Sequence, residues 1–318
     1  MKPEFSIIIP LYNRGDTIKR AILSVVNQYI TDIEIIIIDG GSTDQGPDIV
    51  SSIHDSRIIL KQQTGNGVAN ARNEGVFIAQ SEMIAFLDSD DEWMPEYLTN
   101  IRVLKNRYPG AGIFATRYAI QTKSGIFTKS KCPTFPKSQR EGIIPGYFLA
   151  AAISEPLATS AVALPKHIFY EGGGFPEGIN YGEDMFLWGK IALKYEIAYS
   201  TYIGALYHID ADNRLTYLPS HYYDIYPLVS YLQNVLYHNQ VPDDEKENIL
   251  EYIASKEINR SYYYYIAGDF SEAKNISKKI KTKKLRLKLL KLKIALHTPL
   301  LVFVILKKIL PSYEDLLK

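Results

Sequence analysis

The sequence predicts an α/β protein with a mainly parallel sheet flanked by helices, followed by a helical C-terminal region. In the first third of the chain, short uninterrupted apolar runs alternate with segments of helical spacing. Such runs are typical of strands buried on both faces, and the alternation is typical of βαβ units. Polar and acidic residues follow several runs directly, at the strand ends where α/β sheets bind ligands.

The first part of the chain supplies four predicted strands and the helices between them. The strands are Phe5–Pro10, Ile33–Ile38, Arg57–Leu60 and Met83–Leu87. Helices are predicted to begin at Asp16, near Pro47, at Val68 and at Pro95. Asp16 is a suitable N-cap, and the apolar residues after it follow helical spacing.

The middle of the chain is less regular. A strand over Ile113–Tyr118 is followed by a hairpin over Ala119–Lys129 that turns at Ser124 and Gly125, and then by a loop over Cys132–Gly146 that we expect to be mobile. A further strand is predicted over Ala161–Leu164, and Glu183 and Asp184 open a further helix. After about His221 the pattern is helical and rich in tyrosine, and Ala267–Phe270 indicates the turn of a helical hairpin.

Composition bounds the class of protein. The chain has 318 residues, 46% of them hydrophobic, and a single cysteine, which excludes an internal disulfide. The sequence contains no cluster of Cys and His residues that would indicate a zinc site. A single cysteine is consistent with a protein of the reducing cytoplasm. Because a strand begins at Phe5, we expect no signal peptide before it.

Charge is distributed unevenly along the chain. Residues 270–318 hold 13 Lys and Arg against 3 Asp and Glu, a net charge of +10, whereas residues 1–269 carry a net charge of −9. An acidic body with a basic end indicates that the end meets an anionic surface.

The stretch Ile84–Trp93 begins as a buried strand and ends in four acids among six residues. Crowded carboxylates repel one another and lose hydration, and a divalent cation would remove that cost. Asp88 and Asp90 flank one residue, so both could reach one Mg2+ or Mn2+ ion that also holds substrate phosphates. The alternative is a solvated acidic loop that caps the helix near Pro95.

Polar segments follow three different predicted strands: Pro10–Arg14, Asp39–Asp44 and Asp88–Asp91. Because the carboxyl ends of parallel strands share one edge of a sheet, these segments are predicted to form one ligand site.

Seven stretches together resemble the family 2 glycosyltransferases, which have the GT-A fold with its Rossmann-like sheet. They are Ile9–Arg14, Ser24–Gln28, Asp39–Asp44, Ala71–Gly75, Phe86–Asp91, Gly174–Phe175 and Glu183–Asp184. They occur in the family's order and at its usual spacing, and the resemblance covers roughly Phe5 to His208. Two departures are Gly40, where the family more often has a second aspartate, and Pro176 within the family's Phe-Asp-Glu.

The resemblance implies a catalytic domain over residues 1–215, with a nucleotide-sugar half over about 1–110 and an acceptor half over about 111–215. A helical region over residues 216–318 would follow. It also implies transfer of a sugar, with inversion, from a nucleotide diphosphate sugar, for which a UDP-sugar is expected. The acceptor would be a glycan or a polyprenyl-linked sugar, as in assembly of a bacterial surface polysaccharide.

The resemblance also assigns roles to residues. The expected donor-binding residues are Pro10, Tyr12, Arg14, Asp39, Arg72, Asp88 and Ser89, and the expected metal ligands for Mn2+ or Mg2+ are Asp90, Asp88 and His208. Asp184 would be the general base, with Glu183 as its neighbour. Two alternatives stay open: the two acids could serve only as favourable charge at a helix N-terminus, and His208 could be structural.

Other classes fit less well. The two tryptophans, Trp93 and Trp188, lie outside the Gln-x-x-Arg-Trp motif of processive synthases, so one sugar per binding event is predicted. A sugar-nucleotide pyrophosphorylase would carry Gly-x-Gly-x-x-Arg after the first strand, and a dehydrogenase Gly-x-Gly-x-x-Gly. A sugar-nucleotide-binding protein without transfer activity would be expected to lose Asp88, Asp90 or Asp184.

The basic end suggests a location. Lys278–Lys293 alternates lysines with apolar residues, and the uncharged run Ile294–Leu306 contains Pro299 and is too short to span a bilayer. We therefore predict an amphipathic helix at the inner face of the cell membrane, on a cytoplasmic, peripheral protein. The alternative is a helical subdomain or a homodimer contact; no motif predicts binding of nucleic acid.

Overall fold

A computed structural model describes residues 2–122, 125, 127–179, 181–209 and 226–298. The chain divides into two compact units, one of residues 1–150 with 154–217 and one of residues 151–153 with 218–318. The predicted boundary between residues 215 and 216 falls outside the described residues, as do the predicted apolar segment from Pro299 onward and the hairpin residue Ser124.

The elements are as follows. The strands are β1 Phe5–Leu11, β2 Ile33–Asp39, β3 Ile58–Gln62, β4 Met83–Phe86, β5 Glu92–Trp93, β6 Ile113–Gln121, β7 Phe127–Lys129, β8 Glu141–Ile143, β9 Val162–Pro165 and β10 Ile197–His208. The helices up to β10 are α1 Gly15–Val26, α2 Gly46–Ser52, α3 Gly67–Ile78, α4 Tyr97–Arg107, α5 Tyr147–Ile153, α6 Lys166–Gly172 and α7 Glu183–Ala192. Those after it are α8 Pro227–Tyr237, α9 Asp243–Ile266, α10 Phe270–Lys279 and α11 Arg286–Ala295.

The strands form one mixed sheet, in the order β3-β2-β1-β4-β9-β6-β10-β5, with β7 added to β6 and β8 added to β10. The parallel arrangement predicted for the first four strands is confirmed. β9, in contrast, lies antiparallel between β4 and β6, and the predicted loop over residues 132–146 contains β8. The predicted α/β class with a central sheet is thus confirmed. The half of the sheet beyond β4 contains both parallel and antiparallel strand pairs.

Register brings the strand ends together. Leu11 at the end of β1 lies opposite Asp39 at the end of β2, and Ile8 of β1 lies opposite Phe86 of β4. The carboxyl ends of β1, β2 and β4 therefore share one edge of the sheet, where a parallel sheet offers its ligand site.

The core is formed where α1 and the sheet meet. Ile18, Ala21, Ile22 and Val25 of α1 belong to the same buried cluster as the apolar side chains on one face of β1 and β2, which are Phe5, Ile7, Ile9, Leu11, Ile33, Ile35 and Ile37. Asp16 is not the N-cap that the sequence predicts, because Arg14 occupies that position and the carboxylate of Asp44 accepts the Gly15 N–H at 2.7 Å instead. A long-range carboxylate thus replaces the local cap.

Helix α3 packs very closely on the sheet. A Cβ built at Gly75 would collide with Cγ2 of Ile8 on β1. Only glycine permits this approach, and it fixes the distance at which the preceding turn of α3 presents Arg72.

The second unit, described by itself, contains α8 to α11. The predicted helical hairpin is confirmed: α9 ends at Ile266, α10 begins at Phe270, and Asp269 caps α10 by accepting the Glu272 N–H at 3.0 Å. In α9, Lys256 is buried with its ammonium 5.0 Å from the ring centroids of Tyr226 and Tyr252. Both tyrosines are buried and pack within this helical unit.

The basic end is not the single amphipathic helix that the sequence predicts over residues 278–293. Helix α10 ends at Lys279 and α11 begins at Arg286. The buried carboxylate of Glu251 holds the connection, accepting the N–H groups of Lys283 and Lys284 at 2.5 and 3.0 Å. Among the described residues, no helix combines the length and the hydrophobicity needed to cross a bilayer.

Candidate functional site

The loops that follow β1 and β2 are tied together at the shared sheet edge. The Gly40 N–H donates to the Leu11 carbonyl at 2.7 Å. Asn13, in the left-handed region with φ of 50°, accepts the Thr43 N–H on its side-chain oxygen at 2.8 Å, and its own N–H donates to Ser42 Oγ at 3.0 Å. Neutral hydrogen bonds thus hold the two loops as one wall.

The predicted donor-binding residues on this wall differ in exposure. Tyr12 is 60% exposed, and its ring lies beside Gly40, so it offers a face for stacking. Asp39 is buried at the end of β2, where its carboxylate accepts the Ser42 N–H at 3.2 Å. Pro10 is buried within β1 opposite Ile38, and Ser89 is buried in the acidic segment.

The first two acids after β4 are paired with arginines. Asp88 Oδ1 lies 2.7 Å from Arg72 Nη2, and Asp90 Oδ2 lies 3.4 Å from Arg14 Nε. Arg20 donates to the backbone carbonyl of Asp90 at 2.5 Å. Arg14, predicted as a nucleotide-sugar contact, therefore meets the acidic segment in this structure.

The next two acids meet the end of β10. Asp91 is fully buried and accepts the backbone N–H of His208 at 3.2 Å and the Ser160 hydroxyl at 2.7 Å. The His208 Nε2 lies 3.3 Å from Glu92 Oε1, a contact that lowers the pKa of Glu92 despite its partial burial. His208 thus lies beside the acids that follow β4, and its role as a metal ligand stays a prediction.

A divalent metal would meet suitable donors here. Carboxylates suit Mg2+ and Mn2+, and Mg2+ commonly takes one or two of them together with substrate phosphates. Within the parts of the chain that the structure describes, no three His, Cys, Asp or Glu side chains lie close enough to hold an ion by themselves. The donor set therefore fits an ion that a diphosphate completes, rather than a closed protein site.

The crowding of acids does not by itself require a cation. The sequence indicates that a divalent cation would offset the repulsion between these carboxylates, but three of them already have partners in Arg72, Arg14 and the Ser160 hydroxyl. These partners come from α3, from the loop after β1 and from the turn before β9. The metal site therefore stays a prediction, and it depends on the ligand chemistry of these acids rather than on their crowding alone.

Arg72 is the centre of a buried charge chain. Its guanidinium donates to Asp88 Oδ1 at 2.7 Å and to Glu183 Oε1 at 2.8 Å, and it lies 5.1 Å from the ring centroid of Phe175. Burial alone would lower the pKa of Arg72, but Asp88 and then Glu183 outweigh it and hold the pKa above its usual value. The guanidinium is therefore permanently charged and joins the end of β4 to the start of α7.

The segment that carries Phe175 is anchored on α3. Asn73 donates to the Phe175 carbonyl and accepts the Phe175 N–H, both at 2.9 Å. Asn73 thus joins the motif on α3 to the motif that contains Phe175. On the same helix, Asn70 donates to Glu177 at 3.3 Å. Glu177, whose role the sequence leaves open, contacts a neighbouring helix and not the acidic cluster.

Helix α7 begins with the two predicted catalytic acids. Gly182 is its N-cap with φ of 81°, a conformation that favours glycine, and the Phe186 N–H donates to the Gly182 carbonyl at 3.0 Å. Glu183 and Asp184 therefore occupy the first turn, where the helix dipole favours negative charge. Asn180, in the same sequence stretch, lies outside the described residues.

The two acids have different partners. Glu183 is committed to Arg72, whereas Asp184 Oδ1 accepts the Met185 N–H at 2.7 Å and Asp184 Oδ2 accepts the Thr159 hydroxyl at 2.9 Å. Burial, and then the charge of Glu183, raise the pKa of Asp184 to about 6, although Arg72 opposes the shift. A carboxylate with this pKa can take up a proton near neutral pH.

Two residues of the site are absent from the sequence predictions. Thr159 and Ser160 lie in a 3-10 turn directly before β9 and contact Asp184 and Asp91 respectively. The signal in the sequence is slight: two adjacent hydroxyls precede a predicted apolar strand.

Residues 6–157 match the family model described as "Glycosyl transferase family 2". The UDP-Glc:alpha-D-GlcNAc-diphosphoundecaprenol beta-1,3-glucosyltransferase WfaP of Escherichia coli is 48% identical over 96 residues, 30% of this chain and 38% of that protein. A glycosyltransferase of Rickettsia felis is 34% identical over 199 residues, 60% of this chain and 31% of that protein. The chain thus spans about a third of the length of the curated relatives it matches.

Solved structures show the same fold. The S. aureus TarS fragment 1–349 in complex with UDP-GlcNAc has a TM-score of 0.63 at 18% identity and covers 93% of this chain and 88% of its own. The mannosyltransferase PcManGT of Pyrobaculum calidifontis, in complex with GDP-Man and Mn2+, has a TM-score of 0.61 at 17% identity and covers 86% and 76%. Both have the GT-A fold.

Proposed function

Because the chain carries a family 2 glycosyltransferase domain with the GT-A fold, we propose that it transfers one sugar, with inversion, from a nucleotide diphosphate sugar to a hydroxyl group. The observation that carries this proposal is the half-buried Asp184 carboxylate, with its raised pKa, beside the Glu183–Arg72–Asp88 chain. Inverting transfer needs one base and no protein nucleophile.

Asp184 is the proposed base. It takes the proton of the acceptor hydroxyl as that oxygen attacks the anomeric carbon opposite the departing diphosphate. Glu183 does not share this task, because Arg72 holds its carboxylate at 2.8 Å. Arg72 instead keeps two acids in fixed positions and supplies a permanent positive charge on the donor side.

The donor would lie against the loops after β1 and β2. Tyr12 offers its exposed ring to the base, and Asp39, with Pro10, Arg14 and Ser89 near the sheet edge, completes the proposed donor contacts. A UDP-sugar is the proposed donor, because TarS has been solved with UDP-GlcNAc and the name of WfaP specifies UDP-Glc.

Asp90, Asp88 and His208 would hold Mn2+ or Mg2+. The ion would supply positive charge to the leaving diphosphate as its bond to the sugar breaks. The Mn2+ complex of PcManGT supports this part of the proposal. In this chain Asp90 would exchange its contact with Arg14 at 3.4 Å for the ion, so we expect ion and diphosphate to bind together.

The proposed acceptor is a lipid-linked sugar, or else a glycan. WfaP acts, by its name, on a GlcNAc diphosphoundecaprenol. Such an acceptor suits an enzyme that is peripheral at the inner face of the cell membrane. A homodimer through the basic end is the second candidate for that region.

Helix α11 supports membrane attachment. Its apolar residues Leu287, Leu290 and Ile294 are 73%, 52% and 55% exposed and lie on one face at helical spacing. The exposed basic residues Lys284, Arg286 and Lys293 lie in or next to the same helix. Apolar side chains between basic ones are typical of a helix that lies on anionic lipid.

Transfer is tested directly with a panel of UDP-sugars and a GlcNAc-diphosphate polyprenyl acceptor, with and without Mn2+. Product is expected with the wild-type chain and not with Asp184→Asn. Asp48→Asn is the matched control, because Asp48 is an exposed acid in the first turn of α2. Tight UDP binding without product for any sugar in the panel would favour a binding protein.

Membrane attachment is tested by co-sedimentation of the full chain with phosphatidylglycerol vesicles. The triple variant Leu287→Ser, Leu290→Ser, Ile294→Ser should stay in the supernatant, and Tyr237→Ser, at an 85% exposed site on α8, should pellet. Binding should weaken in salt, because the Debye length falls from about 10 Å at 0.1 M to about 3 Å at 1 M. If the wild-type chain does not pellet and the triple variant dissociates a dimer, the face is a subunit contact.

A further inference from the structure

The turn Thr159–Ala161 contacts both halves of the proposed catalytic machinery. The Thr159 hydroxyl donates to Asp184 Oδ2 at 2.9 Å, and the adjacent Ser160 hydroxyl donates to Asp91 Oδ2 at 2.7 Å. Ser160 Oγ also accepts the Asp88 N–H at 3.1 Å. Two neighbouring side chains therefore meet the base and the acidic segment separately.

The turn itself is firmly held. Both side chains are buried, and the Ser160 carbonyl accepts the indole N–H of Trp93 at 2.6 Å. The chain continues directly into β9, which pairs with β4 on one side and with β6 on the other. A turn that leads directly into a central strand has little conformational freedom. It can therefore hold the side chains that it contacts in fixed positions.

We propose that Thr159 and Ser160 are positioning residues that fix the Asp184 carboxylate relative to the acidic segment after β4. The inference rests on the proposed function, since it gives these residues a purpose only if Asp184 is the base. Neither residue is expected to touch the reacting atoms. Their effect passes through the side chains to which they donate.

The hydrogen bonds account for the orientation of the base. Oδ1 of Asp184 is engaged by the Met185 N–H and Oδ2 by the Thr159 hydroxyl. These two hydrogen bonds fix the plane of the carboxylate. Because a carboxylate oxygen can accept more than one hydrogen bond, the group can still accept the proton of the acceptor hydroxyl. Without Thr159, one of these two constraints is lost.

The charge state of the base depends on the same contact. Among the residues that the structure describes, Glu183 on its own helix and Arg72 from α3 are charged groups that act on Asp184. Burial raises the pKa of Tyr118 on β6, and the charges of Glu155 and Asp184 add to that shift. The Thr159 hydroxyl is a neutral donor that favours the ionised form of Asp184. Removing it should make the base harder to ionise, because burial and Glu183 then act with less opposition.

The test compares Thr159→Val, which removes the hydroxyl at nearly constant shape, with Thr159→Ser, which keeps it. The acidic limb of kcat/KM should move up by about one pH unit in Thr159→Val, and Thr159→Ser should restore most of the wild-type profile. The midpoint of the limb does not depend on the fraction of folded protein, so it separates positioning from instability. If Thr159→Val expresses poorly, Thr159→Ala should give the same shift.

Ser160→Ala provides the complementary readout. It should raise the KM for the donor while leaving the acidic limb in place, since Ser160 contacts the acidic segment and not Asp184. An unmoved limb in Thr159→Val and Thr159→Ala, in an enzyme that Asp184→Asn inactivates, would overturn the positioning role alone. Normal turnover by Asp184→Asn would instead overturn the proposed base and, with it, this inference.

Discussion

The two walls of the proposed site are stabilised in different ways. The wall after β1 and β2 is joined by neutral hydrogen bonds of Asn13, Ser42 and Thr43 near the surface. The wall after β4 is joined by ions, with the buried Arg72 between the half-buried Asp88 and the buried Glu183. A neutral surface contact contributes little and can be replaced by water, whereas removing one partner of a buried ion pair leaves an unpaired charge. We call the wall after β1 and β2 the donor wall, and the wall formed by Asp88–Glu92, Arg72 and Glu183 the acidic wall. The donor wall should therefore tolerate substitution, and the acidic wall should not.

The largest expected effect is on turnover. Asp184→Asn should lower kcat by about 10²–10⁴-fold, the usual contribution of a general base, while UDP binding, measured by calorimetry, stays near wild type. Glu183→Gln should act mainly through stability, because its partner is Arg72. The reverse pattern, with Glu183→Gln inactive and well folded, would exchange the two roles.

The sharpest test of the comparison is the stability of Arg72→Met. Its loss leaves Asp88 and Glu183 without their shared cation, and we expect a decrease in the free energy of unfolding of about 3–5 kcal/mol. Arg102→Met is the matched control, because Arg102 pairs with Glu4 near the surface, and such pairs contribute about 0–1 kcal/mol. Denaturant unfolding with equal values for both variants would refute the distinction between the walls.

Measuring UDP binding with and without a divalent metal tests the acidic wall without replacing any of its charged side chains. In the presence of EDTA the affinity for UDP should fall by about tenfold or more, given the strength of charge interactions at partly buried sites. Asp90→Ala should lose the response to Mn2+ in calorimetry, whereas Asp48→Asn should keep it. If UDP binds equally tightly with and without metal, the positive charge that offsets the diphosphate comes from arginines such as Arg14 and Arg72 and not from a metal ion.

The pH dependence of kcat/KM should report Asp184. The group must be ionised to act, and burial and Glu183 raise its pKa to about 6, so activity should fall as pH drops through that value. The expected loss is about tenfold per pH unit below it. An acidic limb near pH 4 would mean that the base lies in a more hydrated place, or is a different carboxylate.

The smallest effect is expected on the donor wall. Asn13→Ala should lower the free energy of unfolding by about 1 kcal/mol for its lost hydrogen bonds and weaken UDP binding modestly. Asn13→Gly loses the same side-chain bonds but suits the positive φ of 50°, so it should be the milder variant. A loss as large as that of Arg72→Met would remove the contrast between the walls.

The parts of this arrangement that local pattern controls could be predicted. Apolar runs predict β1, β2 and β4, the acids after Leu87 predict the acidic segment, and the Glu183–Asp184 pair marks the first turn of α7. Each of these features is encoded within a few neighbouring residues.

Features that depend on distant partners could not be predicted. The sequence does not indicate that Arg14 meets Asp90 or that Ser160 meets Asp91. The antiparallel entry of β9 has no local signal either, because a short apolar run reads the same in both directions. The same limit applies to the crowded acids, since the positive charge beside them comes from Arg72 and Arg14, which the local pattern does not indicate.

The central position of β9 has a consequence for how the chain folds. β4 gains its second neighbour only when residues 162–165 insert beside it, so a nascent chain that has reached α4 presents an open sheet edge. At that stage the acids after β4 also lack Ser160 and His208, and Arg72 lacks its second carboxylate, Glu183. Contacts of long sequence separation form slowly, and an unpaired edge invites association with other chains. The first 110 residues should therefore be the segment most in need of protection during synthesis, and the site should close only after the last strand of the sheet has left the ribosome.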